Sequence, residues 1–322
     1  MKKILSLVLA LCLLSVPFMA LAEWEWENDI EITCTFDTGS GTDTTLRAIM
    51  PQVAKYLGVN IIINNVSGAS GVNGALHFAK QPADGYNYAM YTPSHAIAAQ
   101  KQINGELDLP FDMLNDTEPV IRLVQDSNVI FANTALPFSD VEGMIAYAKE
   151  HPGELTLSLQ SITGIDAVSA QDFFDKAGID VTIVAADGSE AYAMVIGGHA
   201  SMTLGSPADG AEYYAAGMLN ALVVLSENRS TAMPDVPCSV ELGYDATIGP
   251  WRGIVAMKGT PEEAMDAFCE AVAHVMATDT AWQEWVAANG LADREGYAER
   301  DDFKVIWTDY NKAIGELLYG AE

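Results

Sequence analysis

The chain has 322 residues, half of them hydrophobic, and its 44 acidic against 16 basic residues give a formal net charge of -28. This charge argues against nucleic acids and anionic membrane surfaces as partners, because proteins that bind them present clustered Lys and Arg. The length exceeds what one compact core usually holds and predicts two domains.

Residues 1–22 have the three parts of a secretory signal peptide. Two lysines precede an apolar run, and Ala20-Leu21-Ala22 forms a small-x-small cleavage site. The run contains Pro17 and is short for a membrane span of about 20 residues, which argues against an uncleaved anchor. A lipobox-like run ends at Cys12, but Leu11 is too large for the usual small residue there. We therefore expect cleavage after Ala22 and export as a soluble protein.

A small, hydroxyl-rich turn at residues 35–43 separates a predicted strand from a predicted helix. Apolar and polar residues alternate up to Phe36, with the period of two that is typical of a strand with one buried face. Apolar residues then recur with helical spacing over residues 46–57, and Gly58 can end that helix. Unpaired amides and the helix dipole at a helix start favour an anionic group. We predict that this turn binds a small ligand.

The next elements continue the alternation of strands and helices. Strands are predicted at residues 60–64 and 86–91, separated by the turn Ser67-Gly68-Ala69-Ser70-Gly71 and a short helix that reaches Phe78. A βαβαβ pattern predicts a parallel sheet with ligands at the carboxyl ends of its strands. Thr92-Pro93-Ser94 follows the third strand, so all three turns should open on the same edge.

A second α/β unit is predicted in the middle of the chain. Residues 110–119 are typical of a loop, and a strand at residues 129–132 is expected to begin the second lobe. Ser139 and Glu142 form a capping box that predicts a helix start. Further strands are predicted at residues 155–159, 181–184, 201–204 and 221–225, with helices at 170–177 and 190–196.

The C-terminal part is predicted to be helical. Thr260 is expected to cap one helix, with Pro261 at its first position and a capping-box Glu after it. Helices are also predicted at residues 280–288 and 301–318. We expect Trp282 and Trp285 to pack these helices onto the first lobe.

The residues support neither catalysis nor metal binding. The five histidines are scattered, without an HExxH motif, and no GxSxG or P-loop sequence occurs. Cys34, Cys238 and Cys269 remain after cleavage, without metal-ligand spacing. We expect no metal, no cofactor and no enzymatic activity. The thiols are expected to be buried, and one disulfide among them stays open as an alternative.

Several short motifs follow one another in a recognisable order. Phe36, Gly39, Asp43 and Arg47 fit the pattern PFxxGGxxDxxAR, and residues 65–75 are similar to ENRPGAGGxxGA. Further motifs are Asp84-Gly85-Tyr86, Pro152-Gly153, Gly197-Gly198, Pro234-Asp235-Val236-Pro237, Trp251-x-Gly253 and Gly259-Thr260-Pro261. In this set the mature chain resembles the solute receptors of tripartite tricarboxylate transporters, also called Bug receptors.

The resemblance implies a periplasmic, two-lobed α/β protein of the type II binding-protein fold, with a ligand cleft between the lobes. It implies that the cleft closes on a small organic carboxylate, which is held by backbone amides, hydroxyls and bridging waters. The receptor is then expected to deliver this carboxylate to membrane permease subunits. We expect the first lobe to comprise residues 23–124 and 249–322, the second residues 125–248, and the receptor to be a monomer. A sensor of the same fold that feeds a signalling kinase, and an exported hydrolase, remain as alternatives.

The predicted ligand residues follow strands of both lobes. They are Phe36, Ser40, Gly41, Thr42, Gly68, Ala69, Ser94, Ser161, Thr163, Asp187 and Ser206. This set contains no arginine, so the cleft is expected to hold a carboxylate without an arginine clamp. Asp43 is interpreted as a cap of the first helix. A position of His95 at the rim of the cleft is considered, but His95 is not among the selected ligand residues.

The chain departs from the pattern of the family it resembles at two predicted ligand turns. Ser40 replaces the family's second glycine, and Ala185-Ala186-Asp187 replaces its Pro-Tyr-Lys/Arg. A carboxylate at Asp187 would acidify that wall of the cleft, and the lost aromatic ring would enlarge it. These departures predict a ligand that carries an amino group or is larger than a simple dicarboxylate.

Overall fold

The computed structural model describes residues 24–186 and 190–320, and its strands form two five-stranded sheets. The predicted signal peptide, residues 1–22, lies outside the described residues. The first sheet has the order β2-β1-β3-β10-β4. Its strands are β1 (Ile30–Cys34), β2 (Ile61–Asn65), β3 (Asn87–Tyr91), β4 (Thr117–Gln125) and β10 (Trp251–Met257).

The first three strands are parallel, as the βαβαβ pattern predicted. The helices that accompany this sheet are α1 (Gly41–Leu57), α2 (Val72–Phe78), α3 (Pro93–Ile103), α8 (Glu262–Thr278), α9 (Thr280–Ala288) and α10 (Arg300–Tyr319). The apolar stripe of α1 is buried from Leu46 to Val53 and partly buried at Leu57, and Gly58 ends the helix with a φ of 76°. Burial of this stripe orients the start of α1 at the carboxyl end of β1.

The second sheet has the order β7-β6-β8-β5-β9. Its strands are β5 (Asn128–Asn133), β6 (Thr156–Leu159), β7 (Thr182–Ala185), β8 (Met202–Gly205) and β9 (Leu219–Leu225). Its helices are α4 (Val141–Glu150), α5 (Ile165–Ala177), α6 (Glu190–Ile196) and α7 (Pro207–Ala215). The strands and helices predicted for this region are confirmed, with bounds that shift by a few residues.

The chain passes from the first sheet to the second between β4 and β5 and returns between β9 and β10. These two crossovers lie side by side, because the amide of Asp126 donates to the carbonyl of Pro250 at 2.8 Å. We propose that the two lobes meet here, in keeping with the boundaries expected at residues 125 and 249. Any relative motion of the two sheets has to be absorbed at these crossovers.

The loop predicted at residues 110–119 is partly wrong, because β4 already begins at Thr117 and runs to Gln125. Pro119 obscured this strand in the sequence, since proline is unfavourable in central strands. The structure accommodates it because β4 lies at the edge of its sheet and Pro119 falls at a register shift opposite Val255.

Two predicted helix caps are wrong. The N-cap of α4 is Asp140, not Ser139, and its carboxylate accepts the amide of Gly143 at 2.8 Å. Pro261, not Thr260, stands at the start of α8, and the hydroxyl of Thr260 donates to the carbonyl of Met257. At α4 both Ser139 and Asp140 are able to cap, whereas α8 begins without a side-chain cap at Pro261.

The predicted packing of the C-terminal helices is confirmed. Trp282 is buried in the core of the first sheet and stacks on Trp285 with a ring separation of 5.3 Å. The three cysteines are buried and free within the described residues. The described part of the chain contains no helix that is long and apolar enough to cross a membrane.

The cap of α4 provides a direct test of this local structure. Asp140→Ala should lower the free energy of unfolding by about 1 kcal/mol, because the amide of Gly143 loses its acceptor. Ser139→Ala, at the exposed neighbouring position, is the matched control and should change it by less than about 0.5 kcal/mol. Urea unfolding measures both variants, and an equal effect of the two would contradict the observed cap.

Candidate functional site

The candidate site lies where the turns of both sheets approach the crossovers. The pairing of Gly253 with Tyr91 places Arg252 at the carboxyl end of β3. The pairing of Val129 with Gly205 likewise places Asn128 at the carboxyl end of β8. Since ligands of parallel α/β sheets bind at the carboxyl ends of the strands, both sheets direct their turns to the same region.

The first turn is a rigid arrangement of backbone amides at the start of α1. Ser40 is the N-cap, and its Oγ accepts the amide of Asp43 at 3.2 Å. The buried carboxylate of Asp43 in turn accepts the amide of Gly39 at 2.9 Å, Nε of Arg47 at 2.9 Å and Nδ2 of Asn65 at 3.0 Å. Asp43 therefore supports the turn from inside, in agreement with its predicted structural role, although the N-cap itself is Ser40.

An arginine that the sequence analysis did not select lies against this turn. The guanidinium of Arg252 forms a bidentate pair with Asp126, with Nη1 to Oδ1 at 2.9 Å and Nη2 to Oδ2 at 2.7 Å. A Cβ on Gly41 would lie only 2.8 Å from Nη2. Arg252 therefore lies beside the first turn, although both of its Nη atoms are paired with Asp126. Strand alternation carried a signal, because Arg252 must point away from the face on which its neighbour Trp251 is buried.

The second turn carries an unusual backbone. Four successive residues have positive φ angles, namely Gly68, Ala69, Ser70 and Gly71. Ala69 and Ser70 have side chains, so each pays roughly 1–2 kcal/mol for this conformation. Such strain persists only where surrounding structure maintains it and is common at binding sites.

His95 is buried beneath the second turn and does not lie at the rim of the cleft, a position that was considered for it. It is fully buried, it accepts the amide of Thr92 through Nδ1 at 3.0 Å, and it stacks on Tyr91 at 4.0 Å. A Cβ on Gly71 would lie 2.8 Å from the imidazole. Burial lowers the pKa of His95 to about 4, so the ring is neutral at physiological pH.

Three of the predicted ligand residues meet around one cavity. Ala69, Ser94 and Thr163 line a space of about 210 Å³ together with Lys101. Lys101 is the cation that the sequence analysis missed. It lies seven residues after Ser94 on α3, a spacing that places both on one helix face. The cavity thus combines hydroxyls from both sheets with one ammonium group.

The other predicted residues do not line this cavity among the described residues. Phe36 is half-buried and edge-on to His95, and Ser40, Gly41, Thr42 and Gly68 belong to the two turns described above. Ser161 is exposed, and Ser206 is the N-cap of α7 and accepts the amide of Asp209. Asp187 lies outside the described residues.

Three carboxylates, Asp126, Asp166 and Asp209, lie near one another beside the crossover. Partial burial raises the pKa of Asp166, and the charges of Asp126 and Asp209 raise it further, against a hydrogen bond from Nδ2 of Asn128 at 3.2 Å. Arg252 balances only one of these three carboxylates. No grouping of three or more His, Cys, Asp or Glu side chains in the described ranges could hold a metal ion.

Comparison with known proteins agrees with this architecture. A family model described as the tripartite tricarboxylate transporter family receptor matches residues 45–315. Protein BugT of Bordetella pertussis is 29% identical over 233 residues, which cover 72% of this chain and 71% of that protein. The crystal structure of a TctC solute binding protein from Polaromonas is 25% identical, with a TM-score of 0.79 over 92% of this chain and 99% of that one.

A structure of MatC from Rhodopseudomonas palustris with bound malate has the same fold. Its TM-score is 0.70 and its identity 22%, and the match covers 90% of this chain and 99% of that one. The two-lobed binding-protein fold expected from the sequence is confirmed by these similarities.

The charge network inside the first turn predicts an acid-sensitive stability. The pKa of Asp43 falls from 3.8 to about 2, chiefly because Arg47 donates to its carboxylate. A depressed folded-state pKa contributes stability that is complete above the unfolded pKa and is lost as the pH falls towards 2. Asp43→Asn should therefore lower the free energy of unfolding at pH 7 by roughly 1–2 kcal/mol and flatten its change between pH 4 and pH 2.

Chemical unfolding over this pH range measures the effect. Asp235→Asn is the matched control, since Asp235 is exposed and adjoins Val236, which packs against strands of the second sheet. A variant at Asp43 that keeps the acid sensitivity of the wild type would contradict the assigned role of this carboxylate.

Proposed function

Because the chain belongs to the tripartite tricarboxylate transporter receptor family, we propose that it captures a small organic carboxylate and delivers it to a membrane permease of that transporter type. The chain is a periplasmic solute-binding receptor. One observation supports the proposed ligand site. Ala69, Ser94 and Thr163, from the two sheets, line one cavity that Lys101 also lines. The receptor is proposed to act as a monomer.

The groups at this site suit a carboxylate. The amides at the start of α1, which belong to the first turn and do not line the cavity, have no partner inside the helix, and the dipole of α1 favours negative charge there. Ser94 and Thr163 add hydroxyl donors, and Lys101 adds a cation close to them. We propose that these groups and bridging waters hold the ligand's carboxylate, and that the outer donors of Arg252 add to them at Gly41. No bond is made or broken in this scheme, so the acid should be released unchanged.

The acidic side of the site favours a ligand that also brings positive charge. Asp126, Asp166 and Asp209 lie near the crossover, and Arg252 is paired with Asp126 alone. A dianionic ligand would meet this negative potential with two charges, whereas an ammonium group would reduce the repulsion. We therefore propose an amine-bearing carboxylate as the ligand, in line with the acidic departure at Asp187.

Two acids that differ at one group test the ligand class. Malate and aspartate have the same carbon skeleton, and aspartate carries an ammonium group in place of the hydroxyl. Calorimetric titration should show at least about tenfold tighter binding of aspartate, because one charge-assisted hydrogen bond is worth about 1.4 kcal/mol or more. Glutamate against 2-hydroxyglutarate repeats the comparison with one more methylene.

Equal or tighter binding of the hydroxy acids would overturn the amine-bearing ligand and leave the carboxylate receptor intact. Absence of binding by all four acids would argue against a small-carboxylate receptor. Recovery of a chemically altered acid after incubation would point to an enzyme instead.

Two hydroxyl deletions test the location of the ligand. Ser94→Ala and Thr163→Ala should each weaken binding of the best acid by about tenfold, since each removes a hydrogen bond to a charged group. Thr308→Ala is the control, because the hydroxyl of Thr308 is bonded only to the carbonyl of Lys304 in its own helix. Unchanged affinity in both site variants, measured by calorimetry, would place the ligand elsewhere.

A further inference from the structure

A second cavity of the described molecule is distinct from the candidate ligand site. It measures about 740 Å³ and lies beside the two crossovers, and we call it the crossover cavity. The first sheet contributes β4, α10 and residues 294–298 to its walls, and residues 227–228 and 247–248 complete them. None of the predicted ligand residues lines it. Its walls therefore connect both sheets at a place separate from the cavity around Ser94 and Thr163.

The crossover cavity contains a buried arginine that has no acidic partner. Arg122 is only 8% exposed. Its Nε donates to the carbonyl of Gly296 and its Nη2 to the carbonyl of Glu295, both at 2.8 Å. Within the described residues no carboxylate oxygen lies within 4.0 Å of this guanidinium, and its Nη1 has no hydrogen-bond partner. Arginine is rarely buried without a paired charge, because desolvation of the cation costs several kcal/mol.

A second guanidinium increases the positive charge on the same wall. Arg294 is 6% exposed, and its Nη2 pairs with Glu227 at 2.8 Å while Nη1 donates to the carbonyl of Asp126 at 3.0 Å. Its Nε is buried and has no partner in the described part of the chain. Burial, followed by the charge of Arg294, lowers the pKa of Arg122 to about 10.

Three carboxylates also belong to this cavity, and they oppose an anion. Glu227 is already paired with Arg294 and its side chain is 52% exposed, and Glu295 and Asp302 are exposed residues. Exposed charges are screened by salt over about 8 Å at physiological ionic strength, whereas buried ones are screened much less. None of these three carboxylates lies within 4.0 Å of the guanidinium of Arg122, so among the described residues its burial has no directly paired counter-charge. The buried side of the cavity therefore presents a guanidinium that has no directly paired carboxylate among the described residues.

We propose that the crossover cavity binds a small oxyanion, of the phosphate or carboxylate type, between Arg122 and Arg294. The planar guanidinium fork matches such an anion, and the free Nη1 of Arg122 supplies a donor that no protein group uses. The anion provides the counter-charge that Arg122 lacks. Because the walls come from both sheets, a bound anion also favours the arrangement of the lobes seen here. Asp126 connects the two sites, since it accepts from Arg294 through its carbonyl and from Arg252 through its carboxylate.

Thermal unfolding of the full mature chain tests this site with inorganic phosphate and acetate as separate probes. Each is titrated against NaCl at constant ionic strength. At least one probe should raise the Tm of the wild type in a saturable way, by about 4 °C at 100 times its Kd. Arg122→Gln should abolish that shift. Arg300→Gln is the matched control and should keep it, because Arg300 pairs with Asp266 and does not line the cavity.

Two other outcomes of the thermal unfolding experiment would overturn the proposal. A shift of equal size in Arg122→Gln would place the anion in the ligand cleft, and the absence of a saturable shift with both probes would leave the cavity without an anion. Arg122→Lys keeps the charge but loses the fork, so it should bind the effective probe about tenfold more weakly. If Arg122→Gln does not fold, undiminished affinity in Arg122→Lys overturns the proposal. The larger effect of phosphate or of acetate identifies the type of anion.

Discussion

The ion pair between Asp126 and Arg252 is the interaction on which the rest of the site depends. Asp126 stands in the two-residue connection between β4 and β5, where the chain leaves one sheet for the other. Its carboxylate holds Arg252 of β10, its amide bonds the second crossover at Pro250, and its carbonyl accepts from Arg294. Both charges of the pair are largely buried, so loss of either partner would leave the other uncompensated. The pair therefore fixes the relation between the crossovers and the start of α1.

The turns on either side of this pair show how a protein with such an acidic composition can hold an anion. Salt screens the repulsion between the negative surface charge and an anion beyond about 8 Å, whereas the amides of Gly41 and Thr42 would bind the anion by direct hydrogen bonds. Asp43 supports these amides from the buried side, and its carboxylate accepts hydrogen bonds from Arg47 and Asn65. Asp166 lies near the carboxylates of Asp126 and Asp209, whereas the first turn presents the amides of Gly41 and Thr42. This polarity agrees with a ligand that has both an anionic and a cationic group.

Much of the fold could be predicted because it depends on local spacing. The stripe that begins at Leu46, the turns at residues 35–43 and 67–71, and the alternation of strands and helices are all properties of neighbouring residues. The errors in the predicted elements arose where two adjacent residues can both cap a helix, or where an edge strand accommodates a proline. Asp140 and Ser139 can both cap a helix, and Pro119 is acceptable only because β4 is an edge strand. The candidate site was predicted for Ala69, Ser94 and Thr163, which follow strands, but not for Lys101 or Arg252, which reach the site from a helix face and an antiparallel strand.

The sequence by itself determined the order of the elements, the family resemblance and the hydroxyl-rich turns, because these follow from residue type and short-range periodicity. Only the tertiary structure decided that Arg252 lies against Gly41, that His95 is buried beneath the second turn, and that Arg122 has no paired carboxylate among the described residues. The physical reason is that burial and charge pairing join residues far apart in the chain. Arg252 and Asp126 are separated by 126 positions, and no local pattern records that distance.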